Sequence, residues 1–109
     1  MNMKHVDGEK KGDLVLYALS TCVWCKKTKT FLSDLNVSYD YINVDELAGQ
    51  DREQAIAELQ RWNPKCSFPS LVIDGDTCVV GYDEQKIREV LDRSPAKRLT
   101  KEQLLYMTT

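Results

Sequence analysis

This 109-residue sequence has little net charge, one histidine and no long apolar run, and these features exclude several classes of function. Its formal net charge is only -2, from 15 Lys and Arg against 17 Asp and Glu, which excludes the strongly basic surface of a dedicated nucleic-acid binder. The one histidine, His5, lies in a polar N-terminal segment where we expect it to be solvated, so Ser-His-Asp and Cys-His catalytic sets are not expected. No apolar run approaches the roughly 18 residues that span a bilayer. The first 13 residues are polar and charged, so we expect no signal peptide and a cytoplasmic protein.

Four cysteines are present, and their meaning depends on the compartment. In a small secreted chain they would suggest a disulfide framework, but in the cytosol such residues are redox-active, metal-binding or simply buried. The length predicts one domain. We divide the chain into a polar N-terminal tail (residues 1–12), a folded domain (13–93) and a C-terminal extension (94–109). Thr100 and Gln103 resemble a capping box, which predicts a short helix in that extension.

The spacing of apolar residues predicts an α/β fold with the element order β-α-β-α-β-β-α. The nearly continuous apolar run 13–19 is typical of a central strand buried on both faces. A helix joins the first two strands, which should therefore be parallel, whereas Asp74-Gly75-Asp76 is typical of a hairpin turn. The result is a four-stranded mixed sheet with helices on both faces. The predicted strands are 13–19, 37–44, 70–74 and 77–81, and the predicted helices are 22–36, 52–62 and 83–91.

The pair Cys22-Val-Trp-Cys25 lies between the first strand and the first helix. At a helix start, the unsatisfied N–H groups and the positive end of the helix dipole stabilise a thiolate, and Lys26 adds positive charge. We therefore predict that Cys22 is the exposed nucleophile and that Cys25, inside the helix, is the resolving thiol. A pair of inert buried cysteines is one alternative. Half of a zinc site is another, but its other ligands would be Cys66 and Cys78, whose separation does not match a zinc knuckle.

Three motifs together resemble the glutaredoxin family. The segment from Leu14 to Lys29, LVLYALSTCVWCKKTK, is similar to that family's opening strand, active site and first helix. Ser67-Phe-Pro69 stands where the family has Thr-Val-Pro, and Val80-Gly-Tyr-Asp83 stands where it has Gly-Gly-x-Asp. Within that family, these motifs look most similar to those of small glutaredoxin-like proteins of anaerobic archaea and bacteria. The resemblance implies a thioredoxin-like fold and thiol-disulfide oxidoreductase activity.

The resemblance also implies a substrate groove beside Cys22. It implies a cis Phe68-Pro69 peptide, with the Phe68 backbone available to an extended peptide or to glutathione. Gly81, Tyr82 and Asp83 would hold the γ-glutamyl end of glutathione. Asp83 is also a candidate N-cap of the third helix, and the two roles are compatible. We expect Trp24 to be exposed and able to contact a partner.

Three positions depart from the family pattern. Leu19 replaces a lysine that contacts the glycine carboxylate of glutathione, Val23-Trp24 replaces Pro-Tyr, and Val80 replaces the first glycine of the Gly-Gly pair. These departures bear on the specificity for glutathione and leave the dithiol chemistry untouched. From the resemblance we expect a monomeric enzyme that reduces protein or glutathione-mixed disulfides and requires no cofactor. Either glutathione or a ferredoxin- or thioredoxin-type disulfide reductase would restore its dithiol. The alternative is a carrier of a [2Fe-2S] cluster, held between two protomers with glutathione, which Val23 permits because some family members lacking proline there bind one.

The remaining cysteines and lysines have less specific readings. Cys66, three residues before Pro69, is either a third redox thiol or a partly buried loop residue, and we expect Cys78 to lie in the core. Lys26, Lys27 and Lys29 are more typical of a solvated helix face than of a docking patch.

Overall fold

A mixed sheet with helices on both faces forms the molecule, and the computed structural model describes residues 3–75 and 77–93. The sheet has five strands in the order β1-β3-β2-β4-β5. The strands are β1 (Lys4–Val6), β2 (Leu14–Ala18), β3 (Tyr39–Asn43), β4 (Ser70–Ile73) and β5 (Thr77–Val80). The helices are α1 (Val23–Asp34), α2 (Gly49–Trp62) and α3 (Glu84–Arg93), with a 3-10 turn at Val44–Glu46. None of these helices is long and apolar enough to cross a membrane.

The predicted central strand is confirmed. Strand β2 pairs in parallel with β3 on one side and antiparallel with β4 on the other, so that Leu16 lies between Tyr41 and Leu71. Leu16 and Tyr17 point to opposite faces, and both are buried. Two clusters sandwich the sheet: one contains buried residues of α1 and α3, and the other contains Ala55 and Leu59 of α2. This arrangement explains why the run was apolar on both faces.

The predicted number of strands was wrong, because residues 4–6 of the segment assigned to a polar tail form β1. This strand pairs antiparallel with β3, and His5 lies directly opposite Asp40. Its three residues contain one apolar side chain, so they carry no alternating pattern. The outer edge of β3 holds β1 in place. The connection that follows crosses closely over Val37, where a Cβ on Gly8 would lie 2.6 Å from the Val37 carbonyl carbon.

The predicted helices are confirmed with small shifts at their ends. Helix α1 ends at Asp34, and Asn36 adopts the left-handed conformation (φ 57°) that often follows a helix. Helix α2 begins at Gly49, three residues earlier than predicted, and the Asn63-Pro64 stop is confirmed because Asn63 caps its end. The predicted capping box at Thr100 and Gln103, and Asp76 of the hairpin turn, lie outside the described residues.

Candidate active site

Cys22 is the N-cap of α1. Its backbone is extended (φ -82°, ψ 119°), its carbonyl accepts a 3.1 Å bond from Lys26 N–H, and its Sγ accepts a 3.2 Å bond from Cys25 N–H. The first turn of α1 contains no acidic residue. The Cys22 side chain is partly exposed. It therefore faces solvent at the positive end of the helix dipole, where a sulfur that carries negative charge is stabilised.

Cys25 lies one turn further along α1 and is completely buried, with 0% of its surface exposed. Burial, together with a hydrogen bond to Cys22, raises the pKa of the Cys25 thiol to about 12. Its side chain packs in the cluster between the sheet and helices α1 and α3. The two cysteines of the motif therefore differ sharply, because one is accessible at the helix N-terminus and the other is protonated and enclosed.

Asp45, in the 3-10 turn after β3, holds the loop that leads to Cys22. Its Oδ1 accepts a 2.8 Å bond from Ser20 N–H, and its Oδ2 accepts a hydrogen bond from the Ser20 hydroxyl. These bonds lower the pKa of the Asp45 carboxyl. The sequence reading missed Asp45. The available signal was its position two residues after the end of β3, since the carboxyl ends of parallel neighbours such as β2 and β3 meet at one edge of the sheet.

An open cavity of about 300 Å³ lies beside the helix start, lined by Trp24, Phe68, Pro69, Gly81 and Tyr82. All five belong to the predicted binding set. The Phe68-Pro69 peptide is cis, as the resemblance implied, and the Gly81 N–H donates a 2.8 Å bond to the Pro69 carbonyl. The rings of Trp24 and Tyr82 stack with their centroids 6.1 Å apart, and Trp24 remains 55% exposed.

Asp83 is not among the residues that line this cavity. Its Oδ1 accepts a 3.0 Å bond from the Lys86 N–H, and its carbonyl accepts one from the Ile87 N–H. It therefore caps α3, which is the second of the two roles considered for it. Its placement still fixes the end of the turn that carries Gly81 and Tyr82.

The three lysines of α1 do not share one environment. Lys26 and Lys27 are exposed. Lys27 lies over the Trp24 ring, 4.6 Å from its centroid, and Lys26 lines a wider groove of about 730 Å³ between α1 and α3. Lys29 is partly buried instead, so a solvated face was wrong for this residue. Its amine donates a 3.0 Å bond to Asn43 Oδ1 and lies 4.2 Å from the Tyr41 ring centroid.

The other two cysteines lie on the opposite face of the sheet from Cys25. Cys66 and Cys78 are both partly buried against the cluster that includes α2. Burial raises the pKa of the Cys78 thiol. Cys66 has a left-handed backbone (φ 51°) and does not line the cavity beside Trp24. Within residues 3–75 and 77–93, no three His, Cys, Asp or Glu side chains gather closely enough to hold a metal ion.

Comparison with known proteins identifies the family that this chain resembles in sequence and structure. The model of the family described as Glutaredoxin matches residues 14–78. The structure of a glutaredoxin from Methanosarcina mazei is 47% identical, with a TM-score of 0.78, and covers 84% of this chain and 88% of that one. Methanoredoxin from Methanosarcina acetivorans is 45% identical, with a TM-score of 0.75 and coverage of 77% and 88%. A glutaredoxin-like 8.6 kDa protein in a rubredoxin operon of Clostridium pasteurianum is 30% identical over 72% of this chain and 96% of its own length.

Proposed function

The chain belongs to the glutaredoxin family of thiol-disulfide oxidoreductases, and from this premise we propose that it reduces protein disulfides by a dithiol mechanism. Cys22 is the nucleophile in this proposal, and Cys25 is the resolving thiol. No resident cofactor is required. The proposed setting is the cytoplasm, where a reducing pool keeps such thiols available.

The observation that carries the proposal is the difference between the two thiols of one motif. Cys22 is accessible at the N-terminus of α1, and Cys25 is fully buried one turn away, with its N–H bonded to Cys22 Sγ. An accessible sulfur at a helix N-terminus is suited to attack a substrate. A buried, protonated thiol beside it does not compete for the substrate but is in position to react with a disulfide formed on Cys22.

The proposed reaction has two exchange steps. The Cys22 thiolate attacks one sulfur of the substrate disulfide, so that a Cys22–substrate bond forms and the other substrate sulfur leaves with the electron pair and takes up a proton. Cys25 then loses its proton and attacks Cys22 Sγ. The Cys22–Cys25 bond forms, the substrate sulfur leaves as a thiolate and is protonated, and the protein is oxidised by two electrons.

The cavity beside the start of α1 suits an extended segment that carries the disulfide. Trp24 and Tyr82 supply a stacked aromatic pair to its lining, which also includes Phe68 and Pro69. The Phe68 backbone is proposed to pair with a substrate peptide or with glutathione. Asp83 supports the turn of Gly81 and Tyr82 through its cap of α3 and is proposed to help anchor the substrate.

The reductant is tested with the oxidised protein, in which Cys22 and Cys25 form a disulfide. Millimolar glutathione is added to one sample and a dithiol reductant to another, and an alkylating reagent then counts the thiols by mass. Reduction of the disulfide exposes two thiols, so the protein gains the mass of two more alkyl groups than the oxidised sample. The Cys25→Ser variant, which cannot form this disulfide, is the control. Fast reduction by glutathione identifies it as the reductant despite Leu19 and Val80, whereas reduction by the dithiol alone indicates a dedicated reductase.

A separate, anaerobic preparation of the reduced protein tests the dithiol mechanism against cluster binding. The proposal expects colourless protein, purified anaerobically, that reduces a model disulfide and accumulates a Cys22–Cys25 bond. If oxidation by substrate forms no such bond, the dithiol mechanism is wrong. A brown protein whose visible absorbance disappears in Cys22→Ser would favour the [2Fe-2S] alternative instead.

A further inference from the structure

The resolving step requires a negative charge on a sulfur that the structure buries completely. Cys25 has 0% exposed surface, and burial raises its pKa far above neutrality, to about 12. A charge in such surroundings is costly unless an opposite charge lies nearby. The protein must therefore place some positive group close to Cys25 if the second exchange is to be fast.

Lys29 is in position to supply that charge. It follows Cys25 by four residues on α1, and side chains at that spacing lie on the same side of a helix, with their Cβ atoms about 5–6 Å apart. Its positive charge acts on Cys25 and opposes the rise in the pKa of that thiol. Lys26 and Lys27 lie on the exposed side of the same helix, so water and salt screen their charges more strongly.

The amine of Lys29 is held in a fixed place rather than left in solvent. It donates a 3.0 Å bond to Asn43 Oδ1 and lies 4.2 Å from the Tyr41 ring centroid. Asn43 Nδ2 in turn donates a 2.9 Å bond to Glu46 Oε1, which orients the amide oxygen toward Lys29. A cation over an aromatic ring, with its side chain partly buried, is screened less by water than an exposed lysine.

From this arrangement we propose that Lys29 is a positioning residue for the resolving step, whose charge stabilises the Cys25 thiolate as it attacks the Cys22–substrate disulfide. The proposal rests on the dithiol mechanism above and names the group that makes its second step fast. The proton of Cys25 passes to solvent, and the leaving substrate thiolate takes up a proton from solvent. Lys29 therefore neither donates nor accepts a proton in this step. The other charged or titratable groups around the pair are Cys22 on α1, Lys4 on β1, Tyr39 and Tyr41 on β3, and Asp45 and Glu46 in the 3-10 turn.

The test separates the two exchange steps with a chromogenic aromatic disulfide. All variants carry Cys66→Ser and Cys78→Ser, because these two partly buried thiols would also react with the reagent. Attack by Cys22 then releases the first aromatic thiol, and attack by Cys25 on the mixed disulfide releases the second, so two phases of absorbance report two rates. The variants are Lys29→Met, which has a similar shape without charge, Lys29→Gln as a second neutral form, and Lys29→Arg, which keeps the charge. Lys27→Met is the matched control on the exposed side of α1. Cys25→Ser defines the single-release trace.

The expected result in Lys29→Met and Lys29→Gln is an unchanged first phase and a second phase slowed about threefold near pH 7. One unit of pKa, at the low end for loss of a neighbouring opposite charge, lowers the thiolate fraction about tenfold, and the greater nucleophilicity of the more basic thiolate restores about threefold of that loss. The pH profile of the second phase should shift upward by about one unit. Lys29→Arg should restore both rate and profile, and Lys27→Met should resemble the wild type. A purely structural role would lower thermal stability and slow both phases without moving the profile.

Two results would overturn the inference. One is a second phase in Lys29→Met and Lys29→Gln with the wild-type rate and pH profile. The other is a loss in Lys29→Arg as large as in the neutral variants. Failure of the dithiol mechanism itself is seen separately, because the protein with Lys29 intact and only Cys22 and Cys25 as thiols would then show only one release, like Cys25→Ser.

Discussion

In the native protein, Cys25 should react with an alkylating reagent more slowly than Cys22. The factor by which its rate falls on folding follows from its environment. The perturbation is unfolding: the same thiol is compared in the native reduced protein and in denaturant. In the native protein burial and the hydrogen bond to Cys22 raise the pKa of Cys25 from its ordinary value of 9.0 to about 12. Because the thiolate is the reacting species, the native rate must fall.

The size of the effect combines two opposing consequences of the higher pKa. Three units reduce the thiolate fraction near pH 7 by about 1000-fold. A more basic thiolate is also a better nucleophile, and a Brønsted coefficient of about 0.4–0.5 restores roughly 15- to 30-fold of that loss. The net expectation is about 50-fold slower alkylation in the native state. Since no part of the Cys25 surface is exposed, steric exclusion can only increase this ratio.

The assay is time-resolved alkylation with iodoacetamide, followed by digestion and mass spectrometry of the peptide that carries both Cys22 and Cys25. Native protein should yield singly modified peptide, with the label on Cys22 in fragment spectra, long before doubly modified peptide accumulates. In denaturant the two sites should be labelled at similar rates. Labelling of native Cys25 within a fewfold of its denatured rate would refute the reasoning.

Three further predictions concern residues outside the cysteine pair. Gly8→Ala should destabilise the protein by about 1–3 kcal/mol in urea unfolding, because the new Cβ would meet the backbone of Val37 at 2.6 Å, where no flexible side chain can yield. The His5 ring lies 2.7 Å from Asp40 Oδ1, which raises the pKa of His5 above 6.5; an NMR titration of this single histidine should show that rise and its reduction in Asp40→Asn. Stabilisation by this pair should be complete below about pH 6.5 and decline as the pH rises through the raised pKa. Cys66→Ser should leave disulfide reduction nearly unchanged, as measured with a model disulfide, because Cys66 packs on the α2 side of the sheet.

Each of these expectations has a result that would contradict it. An unchanged urea midpoint in Gly8→Ala would mean that the β1 connection moves aside freely. A His5 titration identical in wild type and Asp40→Asn would show that the pair does not form in solution. A large loss of activity in Cys66→Ser would make that thiol part of the active site.

Local patterns in the chain predict most of the secondary structure and the position of the cysteine pair. A run apolar on both faces marked β2, and helical spacing after Cys22 marked α1, because these signals depend on neighbouring residues alone. The left-handed Asn36 that follows α1 and the cap of α3 by Asp83 are also local. The cavity residues Phe68, Pro69 and Tyr82 were found through family motifs, which spacing and composition do not supply.

The sequence by itself therefore determined that the cysteine pair lies at the start of a helix, because helix N-termini and amphipathic spacing are encoded within a few residues. Only the tertiary structure decided what surrounds them. Pairing of β1 with β3, capture of Ser20 by Asp45, and burial of Lys29 against Asn43 and Tyr41 each join segments distant in sequence. Such contacts depend on which strand edge and which helix face the folded sheet leaves available, and no local pattern in the chain specifies that choice.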